Sequence, residues 1–236
     1  MVIPGQASPQ PVVLERAEGR GGELVLRRAP GGHHEIISNG VFLMDTRNGE
    51  SERLLVRAAA AGLDGPVRVL IGGLGVGFSL AEAVRLPGVV EVVVVEREPA
   101  VIAWHRGPLA AWSGGALEDP RVRVVCGDLV DWLSPGTTAV EGGGARFDMV
   151  CLDIDNGPEW TVTPGNARLY GPGGLESLRT RLTRRGVLAV WSAGAAPAFE
   201  TLLRERFAHV EVVPVPVPRG EPDVVFLARD RPGPSA

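Results

Sequence analysis

Ile71-Gly72-Gly73-Leu74-Gly75-Val76-Gly77 sits between Val67-Arg-Val-Leu-Ile71, an apolar run of strand character, and Phe78–Val84, whose apolar spacing is helical. Glycine lets a backbone turn sharply and come close to a ligand, and the first N–H groups of the following helix have no intrahelical partner. The segment therefore predicts a nucleotide-like ligand lying over Gly72, Gly73, Gly75 and Gly77. Its spacing is G-x-G-x-G, and Phe78 stands where a G-x-G-x-x-G dinucleotide fingerprint needs its third glycine, which argues against NAD.

Working outward, strands and helices alternate. Val89–Glu96, Val122–Val125, Phe147–Asp153 and Val187–Trp191 read as strands, while Pro99–Leu109, Leu129–Leu133, about 173–183 and about 197–206 read as helices. The strands are nearly continuous β-branched runs, as parallel strands covered on both faces require. Val210–Val217 and Val224–Ala228 are separated only by Pro218-Arg-Gly-Glu-Pro-Asp223, too short for a crossover helix, so they pair as an antiparallel hairpin. The expected class is α/β, a doubly wound, seven-stranded, mostly parallel sheet with an antiparallel last hairpin. Upstream, Glu23–Arg27, His34–Ile37 and Val41–Met44 are β-like, with Asn39-Gly40 suited to a type I′ turn. A small β-hairpin module over 12–46, a helix over Glu52–Ala61 and a nucleoside-binding catalytic domain over 47–229 complete the plan. Residues 1–11 and 230–236 are rich in Pro, Ser and Gly and are expected to fray.

Composition narrows the chemistry. The sequence of 236 residues suits one domain with a modest appendage, and all 24 Lys+Arg residues are arginine. A chain without lysine forms no internal Schiff base with pyridoxal phosphate and supplies neither a Walker A lysine nor a kinase strand lysine. Net charge is -4 and the arginines are dispersed, so nucleic acid is not an expected partner. No apolar run reaches membrane-helix length and no export leader is evident, which makes a cytoplasmic protein the expectation. Cys126 and Cys151 both fall in apolar strand runs and are expected to be buried thiols.

Acids recur at the carboxyl ends of the strands. Glu96 follows Gly77 by nineteen residues, where a carboxylate accepts from ribose hydroxyls. Asp128 follows the third strand and suits an exocyclic adenine amine, a helix N-cap for Leu129–Leu133, or both. The fourth strand delivers Asp153-Ile-Asp155-Asn156-Gly-Pro158 to the same edge. Asp153 is the candidate general base. Asp155 and Asn156 either bind a cationic acceptor or shape the turn before Pro158. Trp160 and Tyr170 either wall the pocket or pack the loop. His33 and His34 are adjacent, and His105 and His209 lack a partner at ligand spacing, so no metal is expected.

This order of turn and acids, with the terminal hairpin, resembles the class I S-adenosylmethionine-dependent methyltransferase fold. Together with the β-module at 22–46, the Phe147-Asp-x-x-x-x-Asp153 segment and Asn166-Ala-Arg-Leu-Tyr170, it looks like the spermidine synthase family of polyamine aminopropyltransferases. The resemblance implies that decarboxylated S-adenosylmethionine, or S-adenosylmethionine itself, lies on Gly73, Gly75, Gly77 and Glu96, with Asp128 toward the adenine. It also implies that Asp153 deprotonates an attacking amine. Departures fall on the acceptor side. The family's Asp-Gly-Val-Ile-Gln hairpin becomes Asn39-Gly-Val-Phe-Leu43, its Tyr-Gln-Glu becomes Glu50-Ser51-Glu52 with only Glu52 retained, and the second Asp of Asp-Ser-Ser-Asp becomes Asn156. The expected activity is transfer of an aminopropyl or related group to a small-molecule amine. Methyl transfer, acceptor-free cyclisation of the donor's side chain, and a non-enzymatic nucleoside-binding interaction protein are the alternatives. The free edge of the N-terminal module suggests a homodimer.

Overall fold

The computed structural model describes residues 10–134 and 144–230, and its chain divides into two units, Met1–Asn48 and Gly49–Ala236. Apart from residues 10, 11 and 230, the termini expected to fray lie outside the described residues.

The first unit is an antiparallel sheet in the order β1 (Val12–Gly19), β2 (Gly22–Arg28), β3 (His34–Ser38) and β4 (Val41–Asp45). Asn39 and Gly40 have φ of 49° and 78°, both in the left-handed region that a type I′ turn needs. The Asn39 side chain ties this turn to the neighbouring one: its Oδ1 accepts from Glu23 N at 3.0 Å and its Nδ2 donates to Gly21 O at 2.8 Å. Strand β1 goes beyond the strands read from the sequence. Its residues Val-Val-Leu-Glu-Arg-Ala-Glu-Gly are mostly exposed and carry no clean alternation, so its ladder with β2 defines it rather than a buried face.

The second unit begins with α1 (Glu50–Ala60), β5 (Val67–Gly72), α2 (Phe78–Arg85), β6 (Val89–Glu96), α3 (Pro99–Trp104), β7 (Val122–Cys126) and α4 (Leu129–Leu133). It continues through β8 (Phe147–Leu152), α5 (Pro172–Thr180), β9 (Leu182–Ser192), α6 (Pro197–Arg206), β10 (His209–Val215) and β11 (Asp223–Arg229). These strands form one seven-stranded sheet in the order β10-β11-β9-β8-β5-β6-β7. β8 and β6 flank β5 in parallel, and β9 and β7 continue the parallel run on either side. β11 is antiparallel to both β9 and β10, which is the terminal hairpin expected from the short Pro218–Asp223 connection.

Four expectations need correction. The helix expected over 173–183 stops at Thr180, and β9 starts at Leu182 rather than Val187. Phe147 faces Leu182 but Met149 faces Val187, so Thr183-Arg-Arg-Gly186 bulges out of the ladder and hides the strand's period. The helix expected over Pro99–Leu109 is helical only to Trp104 and continues as turns. Cys151 is buried as expected, whereas Cys126 is exposed, because it ends β7 at the sheet edge.

Both faces of the central strands are covered. Val69, Leu70, Ile71, Val92, Val93, Val94, Val150, Cys151 and Leu152 are each 0% exposed, which accounts for their unbroken apolar runs. On one face an aromatic chain stiffens the core, with Phe199 edge-on to Tyr170 at 5.7 Å and to Phe226 at 5.4 Å between ring centroids. Among the described residues no helix is long and apolar enough to cross a membrane. Phe226, 1% exposed at the inner end of this stack, is expected to cost about 3–5 kcal/mol of stability when changed to alanine, read as the loss in urea-unfolding free energy.

Candidate functional site

β5 and β8 are neighbours at the point where the strand order reverses, since the chain runs outward from β5 to β7 before returning to β8. In open α/β sheets the crevice for ligands lies outside the carboxyl ends of such a pair. The segments leaving those ends are Gly72–Gly77 and Asp153–Gly157. They touch through the backbone: Asp153 N donates to Gly72 O at 2.9 Å. Gly73 has φ of 89°, and a Cβ there would sit 2.1 Å from the Asp153 carbonyl oxygen. Gly77 (φ 91°) caps α2, and a Cβ there would meet His105 Cε1 at 2.7 Å. His105, buried and held below its usual pKa by desolvation, contacts the Gly75 carbonyl through Nε2 at 2.9 Å. Phe78, the departure from the dinucleotide fingerprint, fills space against Gly49 and lies under the Arg53 guanidinium, 4.3 Å from ring centroid to Cζ.

The acids read from the sequence divide by what satisfies them. Glu96 is buried, which pushes its carboxyl up, and its oxygens accept from Leu74 N at 2.8 Å and Glu98 N at 2.7 Å. It therefore braces the glycine turn from below. Asp128 caps α4, accepting from Val130 N at 2.8 Å. Asp155, in the left-handed region at φ 53°, accepts from Asn166 Nδ2 at 2.8 Å and Thr163 N at 3.4 Å. It shapes the loop after β8. Asn156 is buried, and its carbonyl accepts from Ala193 N at 3.0 Å. Tyr170 is buried and donates from its hydroxyl to Ile154 O at 3.1 Å, so it packs the loop from the core side. Trp160 is 62% exposed and does not wall a pocket.

Asp153 belongs to a different group. Ser79, from the first turn of α2, donates from Oγ to Asp153 Oδ2 at 2.7 Å. Glu52, from the first turn of α1, is 7% exposed. Ser51 Oγ lies 2.9 Å from Glu52 Oε2 and 2.7 Å from Asp223 Oδ2. Burial, then repulsion from Asp153, pushes Glu52 up to about 8, and burial with repulsion from Asp223 pushes Asp153 up to about 6. A hydroxyl has a single proton, so Ser51 donates to only one of its two carboxyl neighbours and the other contact needs a proton on the carboxyl. Glu52 is the group whose pKa suits that role.

Ser51, Ser79 and Asp223 were not singled out from the sequence. A signal existed for Asp223: once the last two strands are read as antiparallel, the first residue of β11 falls at the same sheet edge as the carboxyl ends of the parallel strands, and an acid opens an otherwise apolar strand there. Ser79 had a weaker one, as a polar residue one step inside the helix that follows the glycine turn.

Among the described residues, one set of side chains has spacing close enough to share a metal ion: His33, Glu35 and Asp45, in the first unit. Arg27 holds Glu35 at 2.6 Å and Arg47 holds Asp45 at 2.6 Å, so both carboxylates already carry cationic partners.

The profile of the spermine/spermidine synthase domain matches residues 51–193. A polyamine aminopropyltransferase of Mycobacterium tuberculosis is 36% identical over 132 residues, which cover 56% of this chain and 24% of that protein. Polyamine aminopropyltransferase 1 of Hyperthermus butylicus is 30% identical over 172 residues, covering 70% of this chain and 56% of its own length. The chain thus spans about a quarter of the mycobacterial relative it matches. A solved spermidine synthase in complex with the transition-state analogue AdoDATO superposes with a TM-score of 0.74 at 17% identity, covering 92% of this chain and 74% of that one. Spermidine synthase from Thermotoga maritima gives 0.72 at 18%, covering 92% and 73%. At those identities the likeness establishes the fold.

Glu52 gives a pH signature. Its folded pKa is raised from 4.5 to about 8, so the folded state holds the proton more tightly than the unfolded chain. The contribution is fully present below about 4.5 and is lost as pH rises through about 8. Wild-type stability is expected to fall across that window by an amount on the order of a few kcal/mol, and Glu52→Gln is expected to flatten the decline, measured as urea midpoints at pH steps between those limits.

Proposed function

Because the chain belongs to the spermine/spermidine synthase family, we propose that its second unit transfers an aminopropyl group from decarboxylated S-adenosylmethionine to the amine of a small acceptor. The observation that carries this reading is the placement of Asp153 directly beside the glycine turn, with its N–H on Gly72 O and its carbonyl against Gly73. A carboxylate there lies next to whatever the turn holds.

The residues fit a nucleoside. Gly72, Gly73, Gly75 and Gly77 let the backbone approach it, and the N-terminus of α2 faces the same crevice. Glu96 accepts from the turn at Leu74 N through Oε2 and from Glu98 N through Oε1, and the remaining lone pairs suit ribose hydroxyls. Asp128 caps α4 through Oδ1 and keeps Oδ2 for an adenine amine. The bound sulfonium supplies a methylene activated for displacement, and methylthioadenosine departs as the C–N bond forms and the C–S bond breaks. Asp153, with a pKa of about 6, is ionised at neutral pH and takes the proton of the attacking amine, while Ser79 fixes its orientation. Positioning the two reactants supplies most of the remaining acceleration.

The test is product identification after incubation with intact or decarboxylated S-adenosylmethionine, with and without a diamine panel. Methylthioadenosine that forms only with the decarboxylated donor and an amine is the expected result. S-adenosylhomocysteine would establish methyl transfer instead, and methylthioadenosine without an acceptor would establish cyclisation. Asp153→Asn is expected to lower turnover by about 10²–10⁴ with methylthioadenosine affinity unchanged. An unaltered rate would remove Asp153 as the base.

The reading also includes a homodimer. In the first unit β1 and β4 are both edge strands, and Val12, Val13, Val41 and Phe42 are 44–52% exposed on them. Unpaired edges with apolar side chains favour a second copy. Sedimentation is expected to show a dimer, and Phe42→Lys is expected to shift it toward monomer.

A further inference from the structure

β11 is an apolar strand, Asp-Val-Val-Phe-Leu-Ala-Arg, that opens on a carboxylate facing the carboxyl edge of the sheet. Nothing in the fold calls for that charge. Ser51 contacts Asp223 at 2.7 Å, and among the described residues no arginine pairs with Asp223, Glu52 or Asp153, in a chain that has no lysine. Three partly or fully buried carboxyl groups thus rely on two serine hydroxyls and, at Asp223, the Trp191 indole. Gathering like charges without a cation costs stability unless a ligand supplies the opposite charge.

Two further observations point to the kind of ligand. Trp191 stands opposite Val225 and therefore on the face of the β9–β11 pair that carries Asp223, and its indole N–H, like the Ser51 hydroxyl, favours the ionised form of Asp223 against the burial that opposes it. Two donors that favour a carboxylate with no cation beside it keep its negative charge in place for a ligand. In addition, the only described set of ligand groups close enough to surround one metal ion is His33, Glu35 and Asp45. The carboxyls at this edge are spread too widely for a single ion, and they suit a longer cation with charge at more than one place.

We infer that Asp223, held by Ser51, is a specificity-determining residue of the acceptor site, taking the second ammonium of a diamine or longer polyamine whose first amine meets Asp153. This inference rests on the aminopropyl-transfer reading for the identity of Asp153 as base. Ser51 occupies the place of the glutamine in the family's Tyr-Gln-Glu segment. It orients a carboxylate from β11, so the grip on the acceptor comes from the last strand of the sheet rather than from α1 alone.

Calorimetry of 1,4-diaminobutane and 1-aminobutane on protein saturated with methylthioadenosine tests it without turnover. Wild type is expected to bind the diamine at least about tenfold more tightly than the monoamine. Asp223→Asn is expected to weaken the diamine by at least about tenfold, leave the monoamine within about twofold, and leave methylthioadenosine unchanged. Ser51→Ala, which keeps the carboxylate and frees its rotation, is expected to give a smaller loss of the same kind. Wild type without a diamine preference overturns the assignment, as does an Asp223→Asn protein that still binds methylthioadenosine and keeps the wild-type preference. A diamine preference that depends on Asp223, in a protein that releases no methylthioadenosine from any donor and amine, would defeat the proposed reaction and leave this assignment standing. Transfer at wild-type diamine selectivity in Asp223→Asn would do the reverse.

Discussion

The hydrogen bond from the Asp153 N–H to the Gly72 carbonyl, 2.9 Å long, joins the two central strands one residue beyond their ladder. The space at Gly73 follows from it, because the Asp153 carbonyl then occupies the volume a side chain would need. So does the direction in which the Asp153 carboxyl leaves the sheet. The turn that receives a nucleoside and the acid that acts on its partner are two sides of one backbone contact. α2 serves both: Gly77 begins it, and Ser79 in its first turn binds the Asp153 carboxyl. A displacement of this helix would disturb the turn and the base together.

Buried acids cost free energy unless something compensates them, and how each is compensated separates scaffold from chemistry. Glu96, Asp128 and Asp155 are satisfied by backbone N–H groups or an amide, fixed donors that the fold itself supplies. Glu52, Asp153 and Asp223 each lean on a serine hydroxyl, which rotates and carries one proton, and none of them has an arginine beside it among the described residues. The first set holds loops in place. The second remains electrostatically unsatisfied and is placed where an amine must come.

The sheet was legible because its strands announce burial on both faces: Val92-Val-Val-Val95 needs helices above and below, and the short Pro218–Asp223 connection dictates an antiparallel end. The glycine turn and Asp153 were legible for the same reason, since strand ends fall at fixed places once the strands are known. Elements that owe their form to pairing were not. β1 has no buried face to give it a period, and the start of β9 is hidden by a bulge. In the site, Tyr170 and Trp160 show what single-residue reading lacks: an aromatic near a loop is drawn into the core or left in solvent by packing that spans Ile154 and Phe199. Asp223 was missed because its partners, Ser51 and Glu52, are separated from it by most of the chain.

The lone proton of Ser51 has a thermodynamic consequence. Any cation that settles on Asp223 makes that oxygen a poorer acceptor and makes ionised Glu52 easier to tolerate, so the hydroxyl can turn toward Glu52 as Glu52 gives its own proton to solvent. Binding of a cation is then an exchange of one positive charge for another, and the net charge of the crevice changes by less than the charge that enters it. The heat of such binding contains the ionisation enthalpy of whichever buffer accepts the proton. Its apparent affinity rises with pH until Glu52 is already ionised, and becomes level above that point.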